Sequence, residues 1–317
     1  MCIRDMKMSV KKQLLVGSIF RDGGPDQAEW LELQLKFLRA TTPSFDHVSY
    51  VNSPKHDLLE EFDTTFVNDS VIDTGDALTV TSQQHINGLN GLLAYFKGHR
   101  HNYTHFLFLD NDAFPIRKEW LRSLVFKMDA HDRKIAVAVR PENLEYRWHA
   151  SILFASQGSL DSLHFGLDFL PSSDFMGHDE LDVGIGAFQG QLRSMVWPLI
   201  RTNKVNIHPV AYGIYYDMFY HHTFGGRRHS KFTHSRDFGL ASKIFNKEPG
   251  FEDRAMPPRS ETGQPWDTLR YGRHHYATDY IDPDYPWEQN TKELMSNPAE
   301  FVGTLAGWNP EQYATFE

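Results

Sequence analysis

The sequence predicts an α/β domain with a strand-rich core, and three observations carry that reading. Apolar β-type runs alternate with helical patterns over roughly the first 110 residues, as in one half of a doubly wound sheet. One of those runs, "HFLFLD", has almost no polar alternation, which marks a central strand covered on both faces. The 317-residue chain is 40% hydrophobic and 14% aromatic, enough for a large core.

Taken in order, "QLLVGSIF" is rich in β-formers and stops at "RDGGPD", so it predicts a strand and a Gly/Pro turn. "QAEWLELQLKFLRAT" spaces its apolar residues for a helix lying on a sheet. "FDHVSYVNS" is a second strand stopped by Pro54, and "TTFVNDSVID" a third. "SQQHINGLNGLLAYFKGH" reads as a helix despite its glycines, and "HFLFLD" follows as a strand. "EWLRSLVFKMDAH" is a helix, and "KIAVAVRPEN" and "HASILFASQGSL" are strands. Residues 160 to 190 read as loops and short helices. "QLRSMVWPLIRTN" predicts a helix broken at Pro198, and "AYGIYYDMFYHHTFGG" a single strand. We divide the chain into a leader over 1–12, disordered or non-native, a main domain over 13–245, and a C-terminal extension over 246–317 that wraps the domain.

The net charge of −9 disfavours a general nucleic-acid surface. The single cysteine, Cys2, forms no internal disulfide and no thiolate metal site, which fits a cytoplasmic location. "LLVGSIF" is too short to span a membrane.

The chemistry begins where "HFLFLD" ends. In an extended chain residues i and i+2 project to one side, so Asp110 and Asp112 converge on one point. Asn111 faces away, and we place it with the nucleotide-side residues. Two carboxylates so close repel unless a cation neutralises them, and Mg²⁺ held by one or two carboxylates keeps positions open for phosphate. The competing reading makes both aspartates caps of a helix over "AFPIRKEW". The fully apolar strand favours the metal.

A second segment, Tyr220 to Arg236, carries Arg227, Arg228, Lys231 and Arg236, four histidines and no acid. Arginine forks pair with phosphate, and Gly225 and Gly226 permit close backbone approach. His221 and His222 end a predicted strand, so one of them faces the site, and a nitrogen ligand shifts preference from Mg²⁺ toward Mn²⁺. A solvated basic loop is the alternative. "GHDELDVGIGAF" offers Asp179, Glu180 and Asp182 as general bases, with Asp182 preferred; a surface acid cluster is the competing reading. His149, His85 and Asn90 read as structural, and Trp120 and Trp197 as core.

With these segments in place the sequence resembles a GT-A glycosyltransferase. "FLFLDNDAFPI" is similar to that family's strand-borne D-x-D motif, "GIYYDMFYHHTFGGRR" to its late strand and His-containing loop, and "WPLIRTNKVNIHPV" to the segment before that loop. The match covers roughly residues 14 to 236, and the loop is bulkier than the family's glycine-rich form. The resemblance implies a Rossmann-like mixed sheet with helices on both faces. It implies Mn²⁺ or Mg²⁺ on Asp110, Asp112 and either His221 or His222, with a nucleoside-diphosphate sugar as donor. Arg227 and Arg228 would approach phosphate, and Ser18, Phe20 and Arg21 would lie near the nucleoside. Asp182 or Glu180 would serve as base toward an acceptor hydroxyl on a glycan or small molecule, with a modified DNA base a minority option. Two rivals stand beside it. One is a haloacid-dehalogenase-like phosphatase, in which the position of Phe114 would normally be Thr or Val. The other is a non-catalytic nucleotide-sugar-binding domain.

Overall fold

A computed structural model of the chain describes residues 12–20, 25–52, 65–67, 77–140, 147–169, 181–184, 195–200, 213–222 and 287–306. The first half alternates as its periodicities dictate: β1 (Lys12–Phe20), α1 (Pro25–Thr41), β2 (Asp46–Val51), β3 (Thr65–Val67), α2 (Ala77–His99) and β4 (Tyr103–Asp110). There follow β5 (Ala113–Pro115), α3 (Trp120–Ala130), β6 (Ile135–Arg140), β7 (Arg147–Ser156), β8 (Gly166–Phe169) and β9 (Leu181–Gly184). Then come β10 (Val196–Ile200), β11 (Gly213–Tyr215) and β12 (Phe219–His221), and near the C-terminus the helices α4 (Trp287–Ser296) and α5 (Pro298–Ala306).

Seven strands form the main sheet in the order β10-β6-β7-β4-β1-β2-β3. It is mixed: β7 runs antiparallel to both its neighbours, β4 and β6, while the other pairings are parallel. Helices cover both faces. Leu15 and Ile19 of β1 and Phe106 and Phe108 of β4 meet Leu89, Leu92 and Phe96 of α2. Leu14, Val16, Leu107 and Leu109 point the other way, to Leu38 of α1 and Trp120, Leu121 and Leu124 of α3. This double coverage is why β4 reads as an unbroken apolar run.

Three expectations give way. Residues 166–169 and 181–184, expected within loops and short helices, pair as the antiparallel strands β8 and β9. Residues 196–200 form a strand, not a broken helix. Among the described residues β10 pairs with β6 alone, at one edge of the sheet, where Pro198 is tolerated because an edge position needs no second ladder bond. The expected single strand around residue 217 is a hairpin of β11 and β12. Tyr216 and Asp217 both adopt left-handed φ, 54° and 53°, and Met218 N–H donates to Tyr215 O at 3.0 Å. Both central residues at positive φ is what primed hairpin turns demand.

β12 pairs antiparallel with β11 and with β5, giving a three-stranded sheet beside the tip of β4. Leu294 of α4 and Val302 and Leu305 of α5 pack on it and on α1, among Trp30, Leu33, Phe37, Phe114, Ile116, Ile214 and Tyr220. α5 starts at an "NPAE" signature: Asn297 Oδ1 accepts from Glu300 N–H at 3.5 Å, Asn297 Nδ2 donates to Glu300 Oε2, and Pro298 opens the first turn.

Candidate metal centre

The strand order reverses at β1: β2 and β3 lie on one side of it and β4 on the other. Ligands of open α/β sheets bind at such a switch point, beyond the carboxyl ends of the strands. Asp110 closes β4 there, in register with Ile19 near the end of β1.

The chain then turns through Asn111 and Asp112 into β5, and four hydrogen bonds hold that turn. Gln34 of α1 donates through Nε2 to Asp110 O at 2.9 Å and to Ala113 O at 2.7 Å, bracketing the turn. Asn111 Nδ2 donates to Gln27 Oε1 of the same helix at 2.8 Å. His222 N–H donates to Asp112 O at 3.0 Å. Residues 113–115 are therefore strand and α3 begins only at Trp120, so the aspartates cap no helix over "AFPIRKEW".

β12 brings His221 opposite Ala113. Its Nε2 lies 3.3 Å from Asp112 Oδ1 and 3.8 Å from Asp110 Oδ2. The ligand atoms of Asp110, Asp112 and His221 all fall within 4.8 Å of one another. The His221 and Asp112 side chains are 3% and 4% exposed and that of Asp110 17%, so solvent reaches the group from the Asp110 side. Mg²⁺ binds oxygen at 2.0–2.1 Å in octahedral geometry, which sets adjacent ligand atoms about 3 Å apart. The His221–Asp112 separation is close to that value, and the 3.8 Å to Asp110 would close by rotation of the more exposed Asp110 side chain. One buried carboxylate, one half-buried carboxylate and an imidazole suit a divalent cation, whose charge offsets the repulsion between the two acids.

His222 is not part of this group. Its ring lies among Tyr220, Trp30 and Phe301, with Nδ1 2.6 Å from Tyr220 Oη and Nε2 3.0 Å from Thr291 Oγ1. Nε2 ties the end of the small sheet to α4, while Nδ1 is held by Tyr220 of β12.

The nucleoside-side expectations land differently. Ser18 is fully buried: its hydroxyl donates to Gln34 Oε1 at 2.5 Å and lies 2.9 Å from His47 Nε2. Phe20 is fully buried with Leu31 and Val51. Asn111 is turned into α1 by its bond to Gln27. The side chains of these three residues are buried in those contacts. Asp182 sits on β9, opposite Asp168 of β8, and its side chain lies outside the described residues, as does that of His149. Arg21, Glu180, Arg227 and Arg228 also lie outside them. Asn90 is structural: its Nδ2 donates to Phe165 O at 3.0 Å. His85, read from sequence as structural, brings Nε2 to 2.8 Å from Asp110 Oδ1. Gln34 and Gln27 escaped the sequence reading because a glutamine in an amphipathic helix carries the signal of a solvated face.

No family model matches the sequence, and neither does any curated protein. Several solved structures are similar to it. A197 from STIV is 10% identical, with 67% of this chain and 94% of that one covered, at TM-score 0.33. A glycosyltransferase involved in glycosylating the major capsid of PBCV-1 is 12% identical, covering 47% of this chain and 62% of that one at TM-score 0.31. The galactosyltransferase LgtC, in complex with donor and acceptor sugar analogues, is 12% identical, covering 59% and 73% at TM-score 0.34. Likeness at these scores is loose, and the site's own geometry carries the functional reading. Among the described residues no helix is long and apolar enough to cross a membrane.

Proposed function

We propose that the protein is a metal-dependent glycosyltransferase that moves a sugar from a nucleoside-diphosphate sugar to an acceptor hydroxyl. One observation carries the reading. The D-x-D pair at the switch point of the sheet is completed by His221, supplied from a segment more than a hundred residues later. This leaves three protein donors with room for phosphate oxygens on the same cation.

In this reading Asp110, Asp112 and His221 hold Mn²⁺ or Mg²⁺, the nitrogen donor favouring Mn²⁺. When bound, the cation offsets charge gathering on the departing diphosphate, worth on the order of several kcal/mol. Arg227 and Arg228 pair with the phosphate oxygens through their guanidinium forks. Asp182, with Glu180 as its alternate, accepts the proton of the acceptor hydroxyl, a contribution of roughly 10²–10⁴-fold. The backbone supports that assignment, since β9 runs against α2, the helix whose His85 touches Asp110. A glycan or small molecule is the acceptor we favour. The net charge of −9 weighs against wide contact with duplex DNA.

A thermal-shift screen of nucleotide sugars, with Mn²⁺ and with chelator, tests this directly. A true donor stabilises selectively, in proportion to its excess over Kd, and only with metal. Equal stabilisation under chelation removes the metal role. Phosphate release from a generic phosphoester, with no response to any nucleotide sugar, turns the reading toward a phosphatase.

A further inference from the structure

His85 lies in the third turn of α2, and neither the D-x-D motif nor the late histidine loop includes it. Its Nε2 is 2.8 Å from Asp110 Oδ1, while Asp110 Oδ2 is the oxygen facing His221, at 3.8 Å. The carboxylate thus lies between two imidazoles, one near each oxygen. Side-chain exposures of 20% for His85 and 17% for Asp110 place the contact in a region of restricted solvent, where it is screened little.

The fold makes a specific provision for this approach. α2 carries Gly88 and Gly91, each costing about 1 kcal/mol relative to alanine in a helix interior. A Cβ on Gly88 would meet Ile19 Cγ2 at 3.0 Å and Tyr50 Cδ1 at 3.3 Å. A Cβ on Gly91 would sit 2.2 Å from Tyr50 Cε2. Under the same helix, a Cβ on Gly17 would lie 2.7 Å from Phe96 Cζ. These glycines let α2 lie close on β1 and β2. Ile19, the residue under Gly88, is the register partner of Asp110. His85 precedes Gly88 by three positions and so shares its face of the helix. The close seating of α2 delivers the imidazole to the carboxylate.

We propose that His85 is a positioning residue: its contact with Asp110 Oδ1 fixes the rotation of that carboxylate and presents Oδ2 to the cation. This rests on the metal reading above. Partners of this kind orient a ligand before the metal arrives, and losing them typically costs 10–100-fold in metal affinity.

The test measures Mn²⁺ binding alone, by electron paramagnetic resonance of free Mn²⁺, on wild type, His85→Ala and His85→Gln, with metal-free Tm recorded for each. We expect wild type to bind, the alanine variant to bind 10–100-fold more weakly, and the glutamine variant, whose Nε2 can reach the same oxygen, to recover most of the loss. Wild-type affinity in the alanine variant overturns the positioning role and leaves the metal reading standing. So does a glutamine variant as weak as alanine with the same metal-free Tm. A wild-type protein that binds no Mn²⁺ removes the metal reading and this inference with it. Should the alanine variant fail to fold, His85→Leu replaces it: the leucine variant is expected to lose affinity while glutamine keeps it, and equal affinities refute the proposal.

Discussion

On one side of β12, His221 turns its Nε2 toward Asp112 and Asp110, 3.3 and 3.8 Å away. On the other, the next residue, His222, is 1% exposed and bound at both ring nitrogens by Tyr220 and Thr291. The two rings belong to the same residue type, both are buried, and they are adjacent in the chain. What separates them is what the surrounding groups require. The carboxylates of the first side set two like charges together, which invites a cation. The hydroxyls of the second satisfy the ring completely and use it as a joint between α4 and the small sheet. A strand end can therefore serve binding and stability at once, because its alternation assigns neighbouring residues to separate tasks.

The largest effect expected on this contrast comes from Asp112→Asn. It removes one ligand charge, so metal-dependent donor stabilisation should vanish and turnover should fall about 10³-fold, the equivalent of several kcal/mol. Metal-free Tm should stay level or rise, since one of two repelling carboxylates becomes neutral. A marked drop in metal-free Tm would mean that the pair is structural. The reverse pattern is expected for His222→Ala. That change empties a buried site and strands the hydroxyls of Tyr220 and Thr291, for a loss of about 3 kcal/mol in urea unfolding. Mn²⁺ affinity should change far less. Loss of Mn²⁺ binding with stability intact would erase the distinction between the two sides.

How far each side can be read from the sequence follows from the same physics. The D-x-D tip is legible because two acids set side by side at the end of an apolar strand repel each other until a cation joins them. The choice between His221 and His222 is not, since alternation shows only that they diverge. Which one meets the carboxylates depends on the pairing of His221 with Ala113. The hairpin before them hides because Tyr216-Asp217 carries none of the Asn-Gly signal that such turns usually show. β10 hides because Pro198 within an apolar run suggests a broken helix unless the edge position is known. The cap of α5 went unread, although "NPAE" has the spacing of a helix start. Gln34 was not legible: its role lies at two carbonyls some 80 residues away in sequence, Asp110 and Ala113.

A smaller effect is expected from Gly91→Ala, which probes the metal side from behind. The added methyl meets the ring of Tyr50, half-buried on β2, at 2.2 Å. Overpacking of this kind costs about 1–3 kcal/mol, offset in part by the better helix propensity of alanine. If α2 shifts to relieve the clash, His85 withdraws from Asp110 and Mn²⁺ affinity falls with stability. If Tyr50 swings aside, stability falls alone. Urea unfolding and Mn²⁺ titration on one variant separate the two outcomes.

The smallest effect lies beneath the metal turn, in the chain His47, Ser18, Gln34. Gln34 directs both amide protons to the carbonyls of Asp110 and Ala113, so its Oε1 must accept, and Ser18 donates its single proton there. His47 Nε2 must then be the donor to Ser18 Oγ, and Nδ1 carries no proton in the neutral ring. Burial, with Arg39 adding repulsion, pushes the His47 pKa down to about 4 from 6.5. The native state therefore holds a neutral ring where the unfolded chain takes up a proton. Its contribution to stability is full above pH 6.5 and is lost as pH falls toward 4. The complete shift would amount to about 3 kcal/mol, but the ring is partly exposed, so the effect should be on the order of 1 kcal/mol. The Nε2–H bond survives protonation, which makes the loss one of desolvation and repulsion and leaves the turn in place. Wild type should thus lose more stability than His47→Gln between pH 7 and pH 5 in urea unfolding, with Mn²⁺ affinity at pH 7 alike in both. Parallel pH slopes would show that the half-buried ring carries no such penalty.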